Sequence, residues 1–510
     1  MTRNLPKTLA DLTSSFWFWA LAITAFRFLI LIMSDANLGP DEAQYWYWSR
    51  DFDFGYFSKP PMIAWAIGFT TSIFGNEEWA VRLAAPVFHL GTATFLYATA
   101  KQHFSLQVAF WAGLGWLTIP GVILSSFIIT TDTPLLFFWA GGLFFLFRLI
   151  AADKPSPINF IGLGTMIGLG FMSKYAMLYF IASLVLTSAF SPSVRRALLQ
   201  PHLLMTAALA IAIATPNILW NAANDFQTVA HTAANANWSS SLFKPLSFLS
   251  FFSAQPAVVG IIPFFTLLFA AISWRKISLP QDNMPKAEIT GRNWKIITLL
   301  VFSLTPLLIV STQSLISRAH ANWAATAYPA TILLITALLF QIHKGWLAKA
   351  SIALHSFFIL LFAAGVTNFA LVDRVGLSDA MAQLRGWKSL SADIASKSNG
   401  YDAIVIDDRS LIGTMLYYQR DLPLDIVTID SNLKVDNHYE AFLAFDPTRH
   451  KHVLFATTRS DSAHVDFRFD TVIPVAPSIT SLGRTSDGPL NRAYHLYDIT
   501  GYNGQGTIPQ

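Results

Sequence analysis

The 510-residue chain contains no cysteine. That absence excludes disulfides, thiolate nucleophiles and cysteine-built zinc sites. Charge is the second shortage. Asp, Glu, Lys and Arg make up 13% of the residues, against about 25% in an ordinary soluble domain. A chain this long and this poor in charge cannot cover a water-facing surface, so its excess apolar area must face lipid. The net charge of +4 contains no basic run, which argues against a nucleic-acid groove. Internal repeats and low-complexity tracts are also missing. Apolar residues take the place of charge: 53% are hydrophobic, 14% are aromatic, and the mean hydropathy is +0.45.

Apolar length predicts spans at 15–33, 79–99, 107–128, 134–150, 158–172, 176–190, 202–220, 246–272, 296–312, 323–341 and 349–371. The first run, Phe16 to Met33, ends in Ser34-Asp35-Ala36-Asn37 rather than at a small-residue cleavage site. It therefore reads as a span, with a signal peptide as the weaker alternative. Basic residues gather at Arg3/Lys7, Lys101/His103, Arg148/Lys154, Arg195/Arg196, Arg275 through Lys295, and Lys344/Lys349. If these positions are cytoplasmic, the intervening connections are external, and 158–190 crosses twice around a tight turn at Ser173-Lys174. The expected architecture is an α-helical polytopic membrane protein of about eleven spans. Residues 1–373 would form the transmembrane catalytic domain, with a long external loop at 34–78. Residues 374–510 would form an external α/β domain, with short buried strands at 402–406, 452–456 and 471–475 and helices at 378–397 and 409–419.

The external connections carry the chemistry-bearing residues. The first contains Asp41-Glu42, the aromatic run Tyr45 to Trp48, and Tyr56-Phe57-Ser58-Lys59-Pro60-Pro61. An acid at a helix start also serves as a cap, and the aromatic run also suits a membrane-interface belt. Thr131-Asp132-Thr133-Pro134 places a second acid between two apolar runs, where a charge is costly. Lys174 stands alone among apolar residues; it either snorkels to the headgroups or pairs with an anion. His231, Asn235, Asn237 and Trp238, and then Arg318-Ala319-His320-Ala321-Asn322-Trp323, fall in later external connections. Their use is hydrogen bonding to a sugar or phosphate, or ordinary loop polarity. Acids (Asp41, Glu42, Asp132) and cations (Lys59, Arg82, Lys174, Arg318) on one side of a membrane suit a substrate with an anionic leaving group. The cations hold the phosphate and a carboxylate takes a proton from the nucleophile. A transporter or flippase would use Asp132 and Lys174 as coupling charges, but neither paired acids in a long loop nor the lack of a repeat fits it. A scaffold would leave the buried charges unexplained.

These motifs, with Ala80-Val81-Arg82-Leu83, resemble the GT-C glycosyltransferases over about residues 35–190. The similarity is greatest to bacterial members related to protein O-mannosyltransferases and lipid A aminoarabinose transferase. Ser58-Lys59-Pro60-Pro61 and Ala319-His320-Ala321-Asn322-Trp323 look most like the rhizobial lipopolysaccharide galacturonosyltransferases. The resemblance implies an inner-membrane enzyme with a periplasmic active site and a polyprenyl-monophosphate sugar donor. Its acceptor is lipid A or lipopolysaccharide core, with a protein hydroxyl as the alternative. It implies Asp41 as general base, Asp132 as the acid that assists the base or orients the acceptor, and Lys59, Lys174 and more weakly Arg82 as donor-phosphate ligands. Glu42, Tyr56, His231, Arg318, His320 and Asn322 are then expected to contact acceptor or sugar. A single in-line displacement inverts the sugar carbon. No cofactor is demanded, and a divalent metal is left open.

Overall fold

The structure is a computed structural model and describes residues 14–154, 156–234, 243–277, 294–429 and 435–504. Arg3, Lys7, Asn235, Asn237, Trp238 and the segment 278–293 lie outside the described residues. The chain divides into two compact units. One holds the residues up to Ile32, Lys59–Ile63 and Arg82–Phe362; the other holds Met33–Ser58, Ala64–Val81 and everything from Ala363 onward.

The first unit is helical. Among the described residues, seven helices of the chain are long and apolar enough to cross a membrane. They are Phe16–Met33, Glu78–His103, Asp132–Ala151, Leu203–Ala223, Trp294–Ile316, Ala321–Gln341 and Gly345–Thr367. The run predicted at 246–272 is two helices, Pro245–Val259 and Ile261–Ser273, bent by 115°. Gly260 makes the bend with φ +98°, a conformation that side chains with a Cβ rarely adopt, and His355 packs where a Cβ would stand. The run predicted at 107–128 also breaks: Leu106–Thr118 ends before Pro120, whose ring cannot continue a helix. Pro157–Ser173 and Tyr175–Phe190 are shorter apolar helices. Gly164 lets Pro157–Ser173 approach Leu203–Ala223 closely, since a Cβ there would lie 2.6 Å from the Thr206 carbonyl oxygen. Trp116, Trp139, Phe147, Phe160, Phe180 and Phe302 are part of one buried core.

The second unit contains a five-stranded mixed sheet in the order β2-β1-β3-β5-β4. Its strands are β1 (Ala403–Ile406), β2 (Asp425–Val427), β3 (His452–Thr457), β4 (Phe469–Thr485) and β5 (Gly488–Tyr502). β1 pairs in parallel with β2 and β3; β5 pairs antiparallel with β3 and β4. Side chains alternate across the sheet. Ile404, Ile406 and Leu454 pack with Trp387, Leu411 and Met415 on one face, while Ala403, Val405, Val453 and Phe455 pack on the other. The helix Pro40–Trp48 belongs to this unit and packs against Arg409–Tyr418.

Two expectations here are corrected. Thr471–Val475 is not a short buried strand; it opens a 17-residue edge strand in which Ile473 is 54% exposed. Pro474 and Pro477 fit there because an edge strand needs no N–H on its open side. The helix predicted at 378–397 is a 3-10 segment, Ser378–Leu384, and a separate helix, Trp387–Ser396. Gly386 at φ +78° divides them.

Candidate active site

Asp132 begins the helix Asp132–Ala151, where a negative charge complements the helix dipole. Pro134 lies in the first turn, where its missing N–H leaves no helical acceptor unpaired. Lys174 follows Pro157–Ser173 in an extended conformation, φ −164° and ψ 138°, before the 3-10 turn Tyr175–Met177. Its Nζ donates to Asp132 Oδ1 at 2.7 Å. Asn322, from the 3-10 segment Ala321–Ala327, donates to Asp132 Oδ2 at 3.0 Å. Three residues singled out in the sequence thus meet, with one donor on each carboxylate oxygen. The lysine and aspartate side chains are 23% and 9% exposed, so the pair is poorly screened by water.

Beside this pair runs a polar row that sequence reasoning missed. The Tyr175 hydroxyl donates to Asn217 Oδ1 at 3.0 Å and accepts from Asn221 Nδ2 at 3.0 Å. Asn217 and Asn221 are buried on the apolar helix Leu203–Ala223. Their i, i+4 spacing was the signal that could have found them.

Lys59 is half-buried and Arg82 is buried at the end of Glu78–Arg82. His231 is half-buried on Gln227–Ala234. Arg318 and His320 are exposed; neither bonds to Asp132 or Lys174, and the His320 ring meets Trp323 edge-on at 5.3 Å. Among the described residues, no three His, Cys, Asp or Glu side chains converge as metal ligands would.

Asp41 lies in the second unit. Pro40 starts the helix Pro40–Trp48, and Glu42 Oε2 accepts the Gly39 N–H at 3.0 Å, closing the first turn. The Asp41 side chain is 64% exposed and accepts from Arg409 Nη2 at 2.6 Å. Gln44 Oε1 accepts from Arg409 Nε at 3.0 Å and also from Nη2. Arg409 opens the helix Arg409–Tyr418, which Asp408 caps by accepting the Leu411 N–H at 2.8 Å. Burial works against the Arg409 charge, but the field and hydrogen bond of Asp41 outweigh it and hold the guanidinium above its ordinary value. Tyr56 is buried: its hydroxyl donates to the Asp51 carbonyl at 2.7 Å and its ring stacks on Trp48 at 5.1 Å, which pins the 51–56 loop.

Comparison with known proteins identifies the class. Residues 58–220 match the family described as dolichyl-phosphate-mannose-protein mannosyltransferase. The chain is 34% identical over 442 residues to the lipid A galacturonosyltransferase RgtD of Rhizobium johnstonii, covering 86% of this chain and 89% of that protein. The chain belongs to the GT-C glycosyltransferases. The lipopolysaccharide core galacturonosyltransferase RgtB of the same organism is 26% identical over 217 residues, 41% of this chain and 44% of that one. Among solved structures, ArnT from Cupriavidus metallidurans bound to undecaprenyl phosphate has a TM-score of 0.62 at 16% identity, covering 97% of this chain and 98% of that one. That likeness extends the GT-C fold across both units. The protein is a multi-pass membrane glycosyltransferase.

Proposed function

We propose that this GT-C enzyme transfers a galacturonosyl residue from a polyprenyl monophosphate to lipid A or lipopolysaccharide core at the periplasmic face of the inner membrane. The observation that carries the chemistry is the Asp132–Lys174–Asn322 cluster: a cation held by a carboxylate at a poorly screened helix start. The sugar and acceptor rest on the kinship with RgtD and RgtB. Basic residues at alternate connections, such as Lys101, Arg148, Arg195 and Arg275, support the orientation.

In this reading Asp41 accepts the proton of the acceptor hydroxyl. The hydroxyl oxygen attacks the anomeric carbon, the bond to the phosphate oxygen breaks, and the lipid phosphate leaves with the electron pair. Lys59 and Lys174 neutralise the phosphate as its charge grows, with Arg82 the weaker candidate for the same work. Asp132 holds Lys174 in place. Glu42, Tyr56, His231, Arg318 and His320 remain acceptor or sugar contacts in this proposal, and Asn322 orients Asp132. One displacement inverts the anomeric centre.

The test reconstitutes the full chain in liposomes with polyprenyl-phosphate galacturonate and lipid A. The expected product is lipid A heavier by one galacturonosyl residue, with inverted configuration. Absence of that product, with another sugar donor active, overturns the proposed donor. Single cysteines introduced into this cysteine-free chain test the orientation. A cysteine at position 53 is expected to react with a membrane-impermeant maleimide from the periplasmic side, and labelling only after inner-membrane disruption overturns it.

A further inference from the structure

We propose that Arg409 is a donor-specificity residue that binds the carboxylate of the transferred uronic acid. The proposal rests on the galacturonosyl reading above and deepens it.

The Arg409 guanidinium is held along one edge only. Its Nε and Nη2 donate to Gln44 and Asp41, while Nη1 makes no hydrogen bond among the described residues. Gln44 is 1% exposed, so it clamps that edge in a fixed direction. The Arg409 side chain is 44% exposed, which leaves its other edge open to a ligand. Nearby acids do not compete for that edge. Asp408 accepts from the Leu411 N–H and the Tyr494 hydroxyl at 2.7 Å, and Asp407 accepts from Thr457 at 2.9 Å. The buried Tyr439 hydroxyl, close enough for both Asp41 and Arg409 to act on it, has no hydrogen-bond partner among the described residues.

Chemistry connects this geometry to the donor. In a pyranuronate the carboxylate carbon stands three bonds from the anomeric carbon, so a base working at the reaction centre has the sugar carboxylate as a neighbour. Two carboxylates at that distance repel. A guanidinium bridging them removes the repulsion and directs its planar fork at the sugar acid. A neutral hexose presents no second charge and needs no bridge. Arg409 therefore favours uronosyl donors over neutral ones while leaving Asp41 where it is.

The experiment compares polyprenyl-phosphate galacturonate with polyprenyl-phosphate galactose, using the full-length protein in liposomes and lipid A as acceptor. Wild type is expected to prefer the uronosyl donor. Arg409→Met is expected to lose about 10- to 100-fold more in kcat/KM for the uronosyl donor than for the galactosyl donor, the extra loss falling mostly on KM. Retained galactosyl transfer also shows that the variant folds. Arg409→Lys keeps the charge without the fork and is expected to fall between the two. Equal losses with both donors mean that Arg409 only positions Asp41 or serves the acceptor, and overturn the proposal. An unchanged uronosyl rate overturns it too. A wild type that uses galactose but not galacturonate overturns the donor reading itself, an outcome distinct from the other two.

Discussion

Asp132 and Asp41 are both acids at helix starts, and their surroundings are opposite. Asp132 is 9% exposed at the side chain and has a donor on each oxygen; Asp41 is 64% exposed and is bound through one oxygen. A carboxylate in the first setting is fixed, and its charge keeps Lys174 from being an unpaired, largely buried cation. A carboxylate in the second setting keeps a free oxygen and access to a nucleophile. The proposed function builds on that difference: it gives Asp132 the work of holding Lys174 and gives Asp41 the proton transfer.

The comparison can be broken first at Asp41. Asp41→Asn is expected to lower turnover about 10²- to 10⁴-fold, the usual range for a general base, with donor binding retained. Turnover within about threefold of wild type removes Asp41 from the chemistry. At Asp132 the larger effect is expected on stability. Asp132→Asn or Lys174→Met alone leaves one charge uncompensated and is expected to cost about 3–5 kcal/mol in thermal or denaturant unfolding. Combining them in one protein is expected to cost less than the sum, and simple additivity breaks the assignment of a coupled pair.

A pH effect separates the units. Burial pushes His438 of the second unit down to about 4. An unfolded histidine takes up its proton near 6.5, so the unfolded chain binds more protons between roughly pH 6.5 and 4. Stability is therefore full above about pH 6.5 and falls as pH drops towards 4. The loss is of order 3 kcal/mol at its limit. Unfolding of the second unit, followed by hydrogen exchange across β1 and β3, is expected to show this slope, and His438→Phe is expected to flatten it. The smallest stability effect is expected at the Asp41–Arg409 pair: Arg409→Met is expected to cost about 1–2 kcal/mol, mostly because it leaves the buried Gln44 oxygen without its donor. A loss of several kcal/mol makes Arg409 a structural strut.

Sequence reading was strongest where a pattern was long or a residue was costly. Asp132 and Lys174 were legible because a charge among apolar residues demands a partner. β1 and β3 were legible as short apolar runs buried on both faces. β5 was missed because its polar residues, Asn491, Arg492 and His495, interrupt any apolar run; its order comes from pairing with β3 and β4. The bend at Gly260 was missed because a glycine inside an apolar stretch leaves hydropathy unchanged.

Composition and local pattern alone place this protein in a membrane, mark which acids and cations stand at the ends of its apolar runs, and show where a polar texture begins. Those are properties of composition and local pattern, set by the cost of charge in lipid and the length needed to cross it. Which charge meets which is fixed by packing. Asn322 reaches Asp132 across 190 positions, and Arg409 reaches Asp41 across 368. A hydrogen bond acts over a few ångströms and carries no trace of sequence separation, so such pairings exist only once the chain is packed.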